Sequence, residues 1–249
     1  MILRNKNGLA YYQFEHLAAF PEIRHGIFAR DGGHSQAPFH RLNVSFAVGD
    51  DPDVVGCMGG QDLVFAHQVH GDTVRVIDGL PAPVPVSGAA AVPVGDAMVT
   101  DRTGTLLVVQ VADCQPVLLF DPERRVVANI HSGWRGSIAN VAGRTLQVMR
   151  ERFGCSARDV LAGVGPSLGP CCAEFVNYRE EIPRELWDYR RDSVYFDFWA
   201  VTRDQLMAAG VPAEHIHTSR MCTKCRTDRF FSYRGERRTG RFPAVIGIR

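Results

Sequence analysis

The chain has 249 residues, 45% of them hydrophobic and 22% charged, with a formal net charge of +1. That length can bury a large core in one domain or two closely packed halves, and the near-neutral charge gives no global field for nucleic acid or an anionic membrane. No stretch reaches the ~18 unbroken apolar residues of a membrane helix, the polar start lacks the apolar run of a signal peptide, and seven cysteines, an odd number, do not suit a secreted disulfide framework. A cytoplasmic location is expected.

The stretch 23–29 reads as a strand, 31–38 as a Gly-rich loop, and 42–46 as a strand or extended edge. After a turn at Gly49-Asp50-Asp51-Pro52, a weakly helical stretch is cut short by Gly56, Gly59 and Gly60. A strand is expected over 63–69, with 73–77 as its continuation or hairpin partner. Residues 80–94, rich in Pro, Ala, Val and Gly, show no helical or alternating pattern and read as a surface loop. The almost wholly apolar 105–112 suits a strand buried on both faces. Residues 117–120 and 126–130, flanking Asp121-Pro122-Glu123-Arg124, predict a hairpin. Ile138, Val141, Ala142, Leu146, Met149 and Phe153 place a helix over 137–153, which Gly154 should stop. Beyond it come a strand at 160–164, an acidic helical stretch around 178–187, a helix over 198–209 ending at Gly210, and a strand at 242–248. Grouped strands with inserted helices argue for an α+β class with a mixed sheet.

Three polar ligands stand at the edges of these apolar runs. They are His70 in Ala66-His67-Gln68-Val69-His70-Gly71, Cys114 in Ala112-Asp113-Cys114-Gln115-Pro116, and His131 in Ile130-His131-Ser132-Gly133-Trp134-Arg135-Gly136. Two imidazoles and a thiolate are a set that catalytic zinc uses while keeping a position open. The expected arrangement has Cys114 between two strands and His131 just past the end of the next. His67 shares the first motif, and the residues alone do not choose between it and His70. Free N–H groups at the start of the helix after His131, with Arg135 beside them, suit an anion.

Cys222-Thr223-Lys224-Cys225 has the spacing of half a zinc ribbon, and Cys171-Cys172 offers two more sulfurs. Adjacent cysteines chelate one ion poorly, so simple thiols or a redox-sensitive pair are expected there rather than a structural zinc. A basic stretch runs from Arg220 to Arg241 with Phe230, Phe231 and Tyr233 among its arginines. It reads as a solvated loop, with a patch guiding phosphate-bearing substrates as the alternative. Two histidines and a cysteine also make a blue-copper set, but nine histidines with one H-x-H pair, His215 and His217, are too few for multicopper chemistry.

His67-Gln68-Val69-His70-Gly71, Ala112-Asp113-Cys114-Gln115-Pro116-Val117, His131-Ser132-Gly133-Trp134-Arg135-Gly136, Gly165-Pro166-Ser167-Leu168-Gly169-Pro170-Cys171 and Phe230-Phe231-Ser232-Tyr233-Arg234 follow one another in order. With them the chain, from about Gly26 onward, resembles the laccase-domain family, whose members are labelled purine nucleoside phosphorylase or polyphenol oxidase. The resemblance implies a single domain over 1–249 with a four-layer α/β/β/α fold on mixed sheets. It implies metal ligation by His70, Cys114 and His131, with zinc as the ion and copper as the alternative. It also implies phosphorolysis of adenosine, inosine, guanosine and methylthioadenosine, and deamination of adenosine. Many members carry an Asn-Arg pair where this chain has Val55-Gly56-Cys57-Met58-Gly59-Gly60. Phosphate holding then falls to Arg135 or a C-terminal arginine, and Arg135 and Asn43 are the expected substrate and phosphate contacts.

The leading expectation is therefore purine nucleoside chemistry at Cys114, His70 and His131, with nucleosides and phosphate as the small-molecule partners. One rival is a cysteine hydrolase in which Cys114 is the nucleophile and His131 its base, oriented by Asp113 or a carbonyl. Others are a copper-dependent polyphenol oxidase, which the resemblance implies, and a module that binds a nucleoside without turnover.

Overall fold

In the computed structural model, residues 1–36, 39, 41–45, 62–79 and 93–249 are described. The strands, in chain order, are β1 (Ile2–Lys6), β2 (Leu9–Gln13), β3 (Ile23–Phe28), β4 (Asp62–Phe65), β5 (Val74–Val76), β6 (Ala97–Thr100) and β7 (Thr105–Val111). They continue with β8 (Gln115–Asp121), β9 (Val126–Ser132), β10 (Leu161–Val164), β11 (Arg190–Arg191), β12 (Tyr195–Phe196), β13 (Ile216–Thr218) and β14 (Phe242–Ile248). The helices are α1 (Glu15–Ala18), α2 (Trp134–Ile138), α3 (Val141–Phe153), α4 (Tyr178–Glu181), α5 (Phe198–Ala208) and α6 (Tyr233–Glu236), with single 3-10 turns between them. None of the described helices is long and apolar enough to cross a membrane.

Two six-stranded mixed sheets carry the fold, ordered β1-β2-β3-β14-β7-β4 and β13-β10-β8-β9-β6-β5. They stack face to face because their central strands are apolar on both sides. In β8, Leu118 and Phe120 face the first sheet, where they meet Leu107, Ala244 and Ile246, while Val117 and Leu119 face α3 and pack with Val141, Leu146 and Met149. Fully burying one such Leu or Phe contributes about 1.5–3 kcal/mol. One polar group ties the sheets together. Asn129 on β9 donates its amide to Leu107 O and Ala244 O of the opposite sheet, each at 2.8 Å. The outward face of the first sheet is covered by Leu42 and Val44. The expected α/β/β/α order is thus visible over three layers, and the weakly helical stretch expected near 52–60 lies outside the described residues, as do Cys57 and most of the 80–94 loop.

Several local readings are corrected. The N-terminal hairpin β1–β2 was not anticipated, although Asn7-Gly8 forms its turn, with φ of 53° and 81° that a two-residue type I′ loop demands. The expected strand at 63–69 ends at Phe65, and residues 42–45 are not strand. The helix expected over 137–153 is two helices. Asn140 sits in the left-handed region at φ 56°, breaks the run, and caps α3 by accepting from Gly143 N. Gly154 ends α3 at φ 70°, as its position predicts. The acidic stretch folds as α4 and a 3-10 turn instead of one helix.

Candidate metal centre

The chain passes from the first sheet to the second twice, through the loop between β4 and β5 and through the turn between β7 and β8. The first crossing presents His70 and the second Cys114. His131 comes from inside β9, paired with Pro116 of β8, rather than from beyond the strand's end. The ligand atoms of all three lie within 4.8 Å of one another. The two imidazole rings meet edge to face at 4.9 Å between centroids. The geometry therefore separates His70 from His67, which is exposed and outside the cluster.

Backbone shape aims two of the ligands. His70 has φ 63°, and Asp113, just before Cys114, has φ 84°. Such values are uncommon outside glycine and need outside support. Asp96, 1% exposed, holds the first of these turns. Its Oδ1 accepts from His70 N at 2.9 Å, and its Oδ2 accepts from Gly71 N at 2.8 Å and Val69 N at 3.3 Å. The same Oδ1 lies 2.8 Å from His131 Nδ1. Nothing local in the sequence marks Asp96 for this task.

Asp113 holds the second turn and faces away from His131, which corrects its expected role as the group orienting that imidazole. Its Oδ1 accepts from Thr223 Oγ1 at 2.6 Å and Ser232 Oγ at 2.7 Å, and its Oδ2 accepts from Arg234 N at 2.6 Å. Gly133 closes the third side. A Cβ there would stand 2.9 Å from His70 Cδ2 and 3.2 Å from Cys114 Sγ, so the ligands can crowd together only because this residue has no side chain.

The electrostatics suit a thiolate. Burial alone would raise the Cys114 pKa, but the charge and hydrogen bond of His131, then those of His70, outweigh it and bring it to about 6. For His131 burial works downward, yet the Cys114 charge and the Asp96 hydrogen bond lift it to about 9. Burial works upward on Asp96, and bonds from His131 and Gly71 N more than offset it, so its carboxyl is held below the usual carboxylate range. Two imidazoles and a low-pKa thiol in this cradle match the donor chemistry of a tetrahedral divalent ion. Asp96 supplies the carboxylate partner that metal-binding histidines usually have.

All three ligands border one cavity of ≈ 850 Å³, whose wall also includes Trp134, Phe175, Phe198 and Tyr233, together with Arg135, Arg234 and Arg241. Arg135 is exposed and its guanidinium lies 4.0 Å over the Trp134 ring. Asn43 is placed behind the wall: its Oδ1 accepts from Arg241 N at 2.8 Å and from Ser45 N at 3.2 Å. It is Arg241 and Ser45 that reach the cavity. Gln115 is a wall residue that the motif reading passed over. Its Nε2 donates to Phe198 O at 2.9 Å while its buried Oε1 lacks a partner. The basic stretch divides in two. Arg226 and Arg229 pair with Asp228 and Asp31, whereas Arg234 and Arg241 join the cavity wall.

Residues 24–249 match the family described as multi-copper polyphenol oxidoreductase laccase. The chain belongs to that family. Among relatives of the laccase-domain family, it is 35% identical to "Purine nucleoside phosphorylase YlmD" of Geobacillus stearothermophilus, over 90% of this chain and 89% of that one. It is 30% identical to "Purine nucleoside phosphorylase" of Bacteroides thetaiotaomicron, over 94% and 93%. The fold matches the crystal structure of the Bacillus licheniformis hypothetical protein YfiH with a TM-score of 0.85 and 27% identity, covering 99% of each chain. It also matches the Geobacillus YlmD crystal structure at a TM-score of 0.82 and 32% identity, over 100% of this chain and 99% of that one.

Proposed function

We propose that the protein is a zinc-dependent purine nucleoside phosphorylase, acting on adenosine, inosine, guanosine and methylthioadenosine, with a second activity as an adenosine deaminase. The observation that carries this reading is one cavity that combines a His70–Cys114–His131 ligand set, an aromatic wall and three guanidinium groups. The names borne by its relatives support the phosphorylase part of this reading.

In phosphorolysis a phosphate oxygen bonds to the anomeric carbon as the bond from that carbon to the purine nitrogen breaks. The electron pair leaves with the base, which is then protonated by water from the cavity mouth. Little of this is covalent work for the protein. Its task is to hold an anion beside the anomeric carbon and to position the base. Arg135, Arg234 and Arg241 suit the anion, while Trp134, Phe175 and Phe198 give the wall apolar surface for the purine.

A zinc ion held by His70, Cys114 and His131 would polarise the base or lower the pKa of a bound water for attack on the amino carbon of adenosine. Asp96 keeps the His131 proton on Nδ1, leaving Nε2 as the ligand atom. Copper is less well supported. Among the described residues lining the cavity there is no methionine to serve as a weak axial ligand, and the second metal-capable group of residues contains four cysteines and no imidazole.

A second reading has a specific observation in its favour, the Cys114 thiolate beside a cationic His131. That pair could make Cys114 a hydrolytic nucleophile with His131 as its acid and base. Both readings are tested by incubating the purified protein with adenosine, with and without phosphate, and resolving the products by chromatography. Free adenine that requires phosphate, or inosine, is expected, with both lost in Cys114→Ala. If neither product appears above that control, the proposal is overturned. Activity that survives metal chelation but not alkylation of Cys114 favours the nucleophile reading.

A further inference from the structure

We propose that Cys171, Cys172, Cys222 and Cys225 form a second metal site, separate from the His70 centre, that holds a single structural zinc ion. The sulfur atoms of all four lie within 4.8 Å of one another. Cys225 Sγ is 3.7 Å from Cys171 Sγ and 3.6 Å from Cys172 Sγ. Four thiolates at the zinc–sulfur distance of about 2.3 Å form a tetrahedron whose edge is about 3.8 Å. The two Cys225 separations match that edge, and every other pair of the four stays within 4.8 Å, as ligands around one ion would. They are far from the roughly 2.05 Å of a disulfide, and one sulfur standing equally near two others is not a disulfide pair. A polynuclear iron–sulfur cluster would spread its thiolates more widely than this.

Adjacent cysteines chelate one ion poorly in an extended chain, an obstacle to this site. The fold removes it. Gly169 O accepts from both Cys172 N and Ala173 N at 2.9 Å, and this tight turn brings the two consecutive sulfurs to the same partner. Cys222 is prepared as an acceptor. Gly169 N donates to its sulfur at 3.3 Å, and Cys225 N donates to it as well, so backbone dipoles point at a site for negative charge. Zinc with four thiolates has a net charge of −2, and Arg220, Lys224 and Arg226 lie in the same stretch of chain.

The ion would join two loops that otherwise touch through few bonds, the one after β10 and the one after β13. Ser167 and Cys222 form a lone bridge there, and Thr223 N donates to Ser167 O at 3.0 Å. Thr223, inside the Cys222–Cys225 spacing, also donates to Asp113, the neighbour of Cys114. The site thus pins the loop that bears Leu168 on the cavity wall and the loop that leads into α6, which carries Arg234.

The test is metal analysis of the full-length protein purified under reducing conditions, as wild type, Cys225→Ser, Cys222→Ser and the Cys114→Ser/His131→Ala double variant. The wild type should exceed each of the first two by one zinc per chain, whatever fills the His70 centre. The double variant should keep that ion, and its zinc X-ray absorption should show sulfur neighbours alone at about 2.3 Å. Because the double variant leaves the four cysteines intact, it answers even where the serine variants fail to fold. Equal zinc in wild type and both serine variants, a zinc-free folded double variant, iron in place of zinc, or a native disulfide among the four cysteines would each overturn the proposal. None of these outcomes depends on whether the protein turns over a nucleoside.

Discussion

Asp96 and His131 share a 2.8 Å contact between Oδ1 and Nδ1, and the same carboxylate gathers the backbone N–H groups of Val69, His70 and Gly71. One buried side chain therefore orients one imidazole directly and the other through its backbone. Replacing Asp96 by Asn keeps the shape but removes the charge and forces an amide donor among N–H groups. Metal affinity should fall about 10–100-fold. Competition with a chromogenic chelator measures it, and an unchanged affinity would mean that the contact is incidental.

Gly133→Ala tests the crowding around the ligands. The added methyl meets His70 and Cys114 at 2.9 and 3.2 Å, so one of them has to move. Overpacking of this kind costs about 1–3 kcal/mol. If the ring yields, metal affinity falls about tenfold to hundredfold, with little change in Tm. If the backbone yields instead, Tm drops and affinity survives. Calorimetry beside chelator competition separates the two, and an effect on neither would contradict the geometry.

The low pKa of Cys114 gives a signature in metal-stripped protein. The thiolate fraction, and with it alkylation by iodoacetamide, should reach half its maximum near pH 6, well below the ordinary thiol range. Replacing His131 by Ala removes the main stabilising charge and should move the midpoint upward. Mass mapping of alkylated Cys114 across pH reads this directly. A midpoint that ignores His131 would place the cause elsewhere.

His25 makes a pH prediction away from the centre. It is 1% exposed, and its Nε2 accepts from Phe14 N at 3.0 Å, a bond that only the neutral ring can accept. Burial pushes its pKa from 6.5 down to about 4. Above pH 6.5 neither folded nor unfolded chain carries the proton, and the full stability is present. As pH falls from 6.5 to 4 the unfolded chain binds the proton first, so stability is lost across that window, by roughly 3 kcal/mol in all. His25→Gln, which retains an acceptor, should flatten the decline in urea midpoints between pH 6.5 and 4. An equally steep decline in the variant would assign the loss to other groups.

What could be read in the sequence depended on the range of each interaction. The strands β7, β8, β9 and β14 announced themselves as apolar runs, and the three ligands stood in short motifs at their edges. Asp96 did not, because its partners lie 26 and 35 residues away in the chain and its own neighbourhood is Gly-Asp-Ala at the end of a featureless stretch. The four cysteines were visible, but their convergence depends on the turn at Gly169 and on the β10–β13 pairing, which no local pattern encodes. The β1–β2 hairpin is a different case. Its Asn-Gly turn is a readable local signal in a stretch that is otherwise mostly polar.

His70 and Cys114 both sit where the polypeptide steps from one sheet to the other, and His131 belongs to the second sheet alone. No half of the molecule owns the complete ligand set. A chain that has formed either sheet but not yet joined it to its companion would lack this set, so loading there would mark the moment of docking. Uptake of a spectroscopically visible ion such as cobalt during refolding would then serve as a clock for the final assembly step.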